Sequence, residues 1–311
     1  MKIFDIMRKE VIMSVSLNDK LVIGVSSRAL FDLEEENAIF EEQGIDTYSK
    51  YQKEHENDIL KPGIAFPLVK ALLNLNLEGR RLVEIIIMSK NSSDTSLRIF
   101  NSIKHYNLDI TRAALVSGNP ISPYLNAFKT DLFLSANEGD VQEAVNANVA
   151  AGMICNRSSL PVNFDETIEQ IRIAFDGDAV VFSDESEKIF KAEGLEAFTK
   201  HEEGNAKNPL PEGPFAKLLK TIHIVQKQFT DSDIKPIRTA LVTARSAPAH
   251  ERVIRTLQAW DITIDEMFFL GGVEKSEILK AFDAHIFFDD QDVHLEPASE
   301  VVPSAKVLYK Q

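Results

Sequence analysis

Ile171-Arg172-Ile173-Ala174-Phe175-Asp176-Gly177-Asp178-Ala179-Val180 is the stretch that decides the fold. Residues 170–175 read as a short apolar strand, and Asp176-Gly177-Asp178 as the tight turn that ends it. Downstream the pattern alternates. Asp184–His201 has helical spacing, with Ile189, Phe190, Leu195 and Phe198 as its apolar positions, and Asn205–Pro214 is a Pro/Gly-rich loop. Phe215–Gln228, His250–Trp260 and Lys275–Ala281 read as helices; Arg238–Val242, Met267–Leu270 and His285–Phe288 read as strands. Strands separated by helices imply an α/β fold of Rossmann-like type, a parallel sheet with helices on both faces. Such sheets collect their functional groups at the carboxyl ends of the strands.

The same pattern occurs twice. Leu21–Lys70 aligns without gaps on Ile171–Lys220, an offset of 150 residues (Ser26 on Asp176) that matches Ile39, Phe40, Gly44 and Gly63 to Ile189, Phe190, Gly194 and Gly213. A second block aligns at an offset of 154 and matches Arg98, Gly118, Leu125 and Phe133 to Arg252, Gly272, Leu279 and Phe287. A four-residue insertion near the strand at 238–243 accounts for the change. Chance similarity of two α/β stretches is the rival reading, and ungapped register over such lengths disfavours it. The expected organisation is two tandem units: residues 1–157, a polar Pro-containing linker at 158–168, and residues 169–311.

Four signals in the second unit fall just past apolar runs. They are Asp176-Gly177-Asp178, then Thr243-Ala244-Arg245, then Lys275 ahead of the last helix, then Asp289-Asp290. Singly each has a bland reading as a solvated turn, a helix cap, a surface lysine or a helix start. Together, at the ends of one parallel sheet, they make a phosphoryl-transfer site. A carboxylate can attack phosphorus and carry the phosphoryl group, which suits Asp176. Asp178, two residues on, would protonate the leaving oxygen and then accept a proton from the hydrolytic water. Mg²⁺ prefers a few oxygen ligands with waters; Asp176, one of Asp289 and Asp290, and the main-chain carbonyl of Asp178 meet that need. The Thr243 hydroxyl and nearby backbone N–H groups, that of Ala244 among them, would hold the phosphoryl oxygens, and Lys275 would neutralise their charge. Arg245 is read two ways, as a substrate contact or as the partner of one of the many acidic residues.

The first unit lacks these parts. Ser26 and Arg28 stand where Asp176 and Asp178 are, Ile121 where Lys275 is, and Ser135-Ala136 where Asp289-Asp290 are; Ser89 aligns on Thr243. It is expected to fold as a degenerate, non-catalytic copy. Arg28 would either pair with a surface acid, the favoured fate, or bind an anion such as an effector phosphate.

The order Asp-x-Asp, Thr, Lys, acidic pair resembles the haloacid dehalogenase superfamily. Longer stretches resemble the cytosolic type I 5′-nucleotidases: Val25–Phe31, Tyr51–Asn57, Ala174–Glu187 (AFDGDAVVFSDESE), Leu241–Ala247 (LVTARSA) and His285–Gln291 (HIFFDDQ). The resemblance covers nearly the whole chain after its first twenty residues. It implies two haloacid-dehalogenase-type units and Mg²⁺-dependent hydrolysis of nucleoside 5′-monophosphates, AMP among them. The nucleotide comes from the resemblance alone. A phosphatase of another small phosphorylated metabolite stays open beside it, as does a nucleotide-binding regulator without turnover.

Composition narrows the partners. A net charge of −14 over 311 residues disfavours a nucleic-acid polymer, whereas a small phosphate ester can enter an acidic site across a cation. The single cysteine, Cys155, fits a reducing compartment. Residues 1–20 carry Asp5, Glu10 and Asp19 and do not read as a secretory signal, and Leu82–Met88 is far too short to span a bilayer. The expectation is a cytoplasmic protein with no membrane partner, and a homo-oligomer is compatible with it. His250 and His285 read as structural, Tyr106 and Trp260 as core.

Overall fold

A computed structural model describes residues 16–76, 79–155, 168–229 and 235–311. Among these residues ten strands form one sheet: β1 Leu21–Val25, β2 Val83–Ser89, β3 Arg112–Leu115, β4 Leu132–Ser135, β5 Ala150–Ile154, β6 Ile171–Phe175, β7 Ile237–Thr243, β8 Glu266–Phe269, β9 Ile286–Asp289 and β10 Ser304–Lys306. Their order is β3-β2-β1-β4-β5-β10-β9-β6-β7-β8. Read outward from the middle, the two halves have the same order. Every neighbouring pair is parallel except β5 and β10, which run antiparallel with Ile154 opposite Ala305. That pair joins the two expected sheets into one and covers what would otherwise be two open edges. The expected linker lies outside the described residues apart from Ile168.

The registers repeat as well as the order. Leu21 pairs with Val83 and Ile171 with Ile237; Ile23 pairs with Leu132 and Ile173 with Ile286; Ile86 pairs with Arg112 and Ala240 with Glu266. Each correspondence follows the offsets of 150 and 154 read from the sequence. The extra residues fall between Lys220 and β7, where the helix Ala216–Gln226 outruns its counterpart Phe66–Leu73.

β1 and β2 are buried along their whole length, as continuous apolar runs in a parallel sheet should be. One face of the sheet carries a core shared by both halves, and the other carries a separate core for each half. Tyr106 and Trp260 pack against the shared core, as expected. The strand β10 and the helix Asp292–Ala298 were not expected. Both are short, and nothing in their pattern separates them from loop.

The segment Glu185–Gly204 departs from the amphipathic helix that its apolar spacing suggests. Gly194 breaks it at φ 83°, a conformation that glycine adopts without strain. The two arms fold back on each other, with Phe190 against Phe198 and the Ser186 hydroxyl donating to Glu202 at 2.8 Å. Phe190 and Leu195, two of the apolar positions read at helical spacing, lie exposed near the hairpin tip, and the buried residues are Ser186, Glu187 and Glu202 at its root. The first half has the same hairpin, Glu34–Glu54, broken at Gly44.

Candidate active site

The strand ends meet as the parallel sheet requires. The Asp176 N–H donates to the Phe288 carbonyl at 2.8 Å, which sets the end of β6 beside the end of β9. Below it Phe175 and Phe288 stack with centroids 5.6 Å apart, and Phe215 closes on the second ring. Lys275, at the start of the helix Ser276–Phe282, is 1% exposed. Its ammonium donates to Asp176 at 2.5 Å and to Asp289 at 2.7 Å. The other Asp289 oxygen accepts from the Gln291 N–H at 2.9 Å.

Asp176, Asp289 and Asp290 are all buried, and a carboxylate oxygen from each lies within 4.8 Å of the others. Among the described residues, Oδ1 of Asp290 is buried and has no hydrogen-bond partner. Three hard oxygen donors, one of them unsatisfied, fit a divalent cation. The electrostatics agree. Burial above all, then the charges of Asp289 and Asp178, push Asp176 up to about 7 against the pull of Lys275. Burial, then Asp176 and Glu187, push Asp290 up to about 7. Asp289 is raised too, first by burial. Burial opposes the Lys275 ammonium, yet Asp176 and Asp289 hold its pKa above the usual lysine value. The cluster is short of positive charge.

Thr243 ends β7, buried, with its oxygen accepting from the Arg245 N–H at 3.2 Å. Gly177 lies against it: a Cβ on Gly177 would come 3.2 Å from the Thr243 hydroxyl oxygen. A side chain between the two aspartates would press on the hydroxyl. Ala244 is exposed. Arg245 takes the second of its two readings and pairs with acids. Its guanidinium grips both oxygens of Asp178, at 2.8 and 2.6 Å, and also binds Glu202. Glu202 in turn accepts from Arg252 at 2.9 Å. Thus the root of the hairpin is tied to the turn that carries Asp178.

Side chains that sequence reading left out also reach the site. The Tyr309 hydroxyl donates to Asp290 and lies 3.0 Å from Glu187, which accepts from Gln291 at 3.1 Å. Glu187 sits inside the quoted AFDGDAVVFSDESE stretch. Arg98 and Arg252 match across the repeat, and Arg98 pairs with Glu36 as Arg252 does with Glu202. That shared arginine was a readable signal for the hairpin root. Tyr309 offered none.

In the first half Arg28 pairs with Glu34 at 2.9 Å and with Asn37, the ion-pair fate of its two expected ones. The Ser27 and Ser89 hydroxyls lie 3.3 Å apart.

A sequence model of the family described as 5′-nucleotidase matches residues 13–311. Human cytosolic 5′-nucleotidase 1B is 39% identical over 292 residues, which cover 90% of this chain and 47% of that protein. The chain spans about half the length of the curated relative it matches. Among solved structures, a chain of the Pnkp1/Rnl/Hen1 complex overlaps 94% of this chain and 97% of its own length at a TM-score of 0.29 and 12% identity. A likeness so distant bears on neither fold nor function. No helix among the described residues is long and apolar enough to cross a membrane.

Proposed function

Because the chain belongs to the 5′-nucleotidase family, we propose that it hydrolyses nucleoside 5′-monophosphates, AMP among them, to nucleoside and phosphate at the carboxyl ends of β6, β7 and β9. The observation that carries this reading is the buried trio Asp176, Asp289 and Asp290 with Lys275 bridging two of them. Phosphate esters are anions, so an acidic cluster serves them only with a cation between. Mg²⁺ suits the oxygen donor set; Asp176, Asp289 or Asp290, and the Asp178 carbonyl would hold it. When bound it would neutralise phosphoryl charge.

The protein groups divide the rest. An Asp176 oxygen attacks phosphorus and the bond to the nucleoside 5′-oxygen breaks, leaving an aspartyl phosphate. Asp178 gives its proton to that oxygen. In the second step water attacks the phosphoryl group, Asp178 takes its proton, and Asp176 is restored. Lys275 restrains Asp176 and balances the charge it gains. Thr243 and the N–H of Ala244 orient the phosphoryl oxygens. Arg245 grips both oxygens of Asp178 and fixes the position of its carboxyl group. For Asp178 to act as an acid the pair must part, and the substrate phosphate is the group to which Arg245 can transfer its hydrogen bonds.

The same reading assigns catalysis to residues 169–311 and a non-catalytic role to residues 1–157. It also places the protein in the cytoplasm, in keeping with the word cytosolic in the human relative's name. Phosphate release from AMP, set beside a panel of sugar phosphates, with Mg²⁺ and with excess chelator, tests it. Preference for AMP and silence in chelator are expected. Equal turnover of sugar phosphates would point to another small metabolite, and no turnover of any ester to a regulator.

A further inference from the structure

The first half contains a cavity of about 390 Å³ that the proposed reaction does not use. It lies at the carboxyl ends of β1, β2 and β4, where Ser26, Ser89 and Ser135 occupy the positions of Asp176, Thr243 and Asp289. Crevices at these ends are where α/β sheets take ligands, and the volume falls in the range of small-molecule sites, roughly 300–1,000 Å³.

One exchange opens it and two more change its lining. In the second half the corresponding space holds the Arg245 guanidinium, 5.3 Å from the Phe198 ring and bound to Glu202. By the offsets of the repeat, Asn91 replaces Arg245, Tyr48 replaces Phe198 and Gln52 replaces Glu202. A short amide now stands where a long cation filled the crevice.

The charges at the cavity decide what can enter. The four carboxylates of Asp176, Asp178, Asp289 and Asp290 have become Ser26, Arg28, Ser135 and Ala136, so the matching metal-binding carboxylates are gone. The cations on the wall are already engaged. Arg28 is held by Glu34 and Asn37, and Lys90 by Asp140 at 2.8 Å and Glu143 at 3.1 Å. Among the described residues that line the cavity, a phosphate dianion would meet no unengaged cation, and it would sit near the carboxylates of Glu36 and Asp140. A neutral ligand meets none of these penalties.

The lining is rich in uncharged hydrogen-bonding groups: the hydroxyls of Ser26, Ser89 and Ser135, and the amides of Asn91 and Asn137. The Tyr48 oxygen accepts from the Gln52 amide at 3.1 Å, and Asn91 is its second side-chain hydrogen-bond partner, so a phenol and two amides stand together on this wall. One wall is apolar and open. Phe40 and Ile45, near the tip of the first hairpin, are 47% and 65% exposed, and Phe40 packs edge-on against Tyr48 at 5.8 Å. A ligand with a flat ring would cover both, and its hydroxyls would reach the serines.

We propose that this cavity binds a free nucleoside, neutral and polyhydroxylated. The choice of nucleoside rests on the function proposed above, since that is the neutral product the second half would release. The need for a neutral ligand rests on the cavity itself.

Calorimetric titration of the full chain with adenosine tests the proposal, in the parent protein and two variants. Asn91→Arg with Gln52→Glu rebuilds the ion pair that fills the second half and should weaken binding at least tenfold. Phe40→Ala changes an exposed residue, so folding is not at stake, and should weaken it about fivefold, a loss of about 1 kcal/mol of apolar contact. Inorganic phosphate should not displace adenosine. Turnover of AMP, measured on the same preparations, keeps the two readings apart. Adenosine binding without AMP turnover would remove the proposed reaction and leave the cavity. AMP turnover with no adenosine binding, with equal affinity in all three proteins, or with phosphate displacing adenosine from the cavity would overturn the inference.

Discussion

Replacing Lys275 by Met removes a buried ammonium that lies 2.5 Å from Asp176 and 2.7 Å from Asp289. The methionine side chain keeps most of the volume, so the change is one of charge. Breaking a buried pair by deleting one partner costs about 3–5 kcal/mol, because the other partner is left uncompensated. Here two carboxylates are left. The loss is a large part of a typical domain's stability of about 5–15 kcal/mol. Its pH dependence has a definite sign. Asp176 sits at about 7 even with the lysine present, raised by burial and by its acidic neighbours. Without the lysine it rises further. A carboxyl whose folded-state pKa exceeds its unfolded one destabilises the fold above the folded value and has no such effect below the unfolded one. The cost of Lys275→Met should therefore be greatest near pH 8. Near pH 5 Asp176 is protonated, and the cost falls toward that of the lost hydrogen bonds, about 1–3 kcal/mol. Urea unfolding of parent and variant in chelator at the two pH values measures it. Equal destabilisation at pH 5 and pH 8 would refute the view that Lys275 serves chiefly to balance the two aspartates.

Asp178→Asn should slow hydrolysis of AMP about 10²–10⁴-fold and that of an aryl phosphate far less, because a phenolate leaves without a proton; equal losses on both would remove Asp178 as the acid. Metal ligands must be deprotonated, and Asp176 and Asp290 both sit at about 7. Apparent Mg²⁺ affinity, read from the rise in melting temperature on adding the ion, should therefore fall as pH drops from 8 to 6; a flat response would contradict the assignment of those carboxylates to the metal. Glu202→Gln strips the charge from a buried carboxylate held between Arg245 and Arg252. It should cost about 3–5 kcal/mol in urea unfolding, and a change below 1 kcal/mol would mean that the hairpin root does not depend on that network.

The parts of the site that could be read in the sequence are those fixed by sheet geometry. Asp176, Thr243 and Asp289 each close an apolar run, and a parallel sheet brings such ends together whatever else the chain does. The repeat was readable for a related reason: side chains alternate along a strand, so an alignment that holds its register predicts which residues face which. What escaped depended on contacts between distant segments. Phe190 and Leu195 have the spacing of a buried helix face, yet one glycine, Gly194, folds the segment into a hairpin and leaves them exposed. Arg245 had two readings of comparable appeal, and its pairing rests on Asp178 and Glu202, 67 and 43 residues away in the chain. Tyr309 reaches Asp290 only because the chain after β10 returns past the site.

The nucleophile carries the whole account, and Asp176→Asn tests it most directly. The substitution keeps the size of the side chain and removes the attacking oxygen. Phosphate release from AMP in saturating Mg²⁺ is measured for parent and variant, with unfolding curves to verify that the variant is folded. A folded variant whose rate has dropped at least about 10⁴-fold is the predicted result, in line with the loss of other catalytic nucleophiles. A folded variant that releases phosphate within tenfold of the parent would contradict the aspartyl-phosphate route.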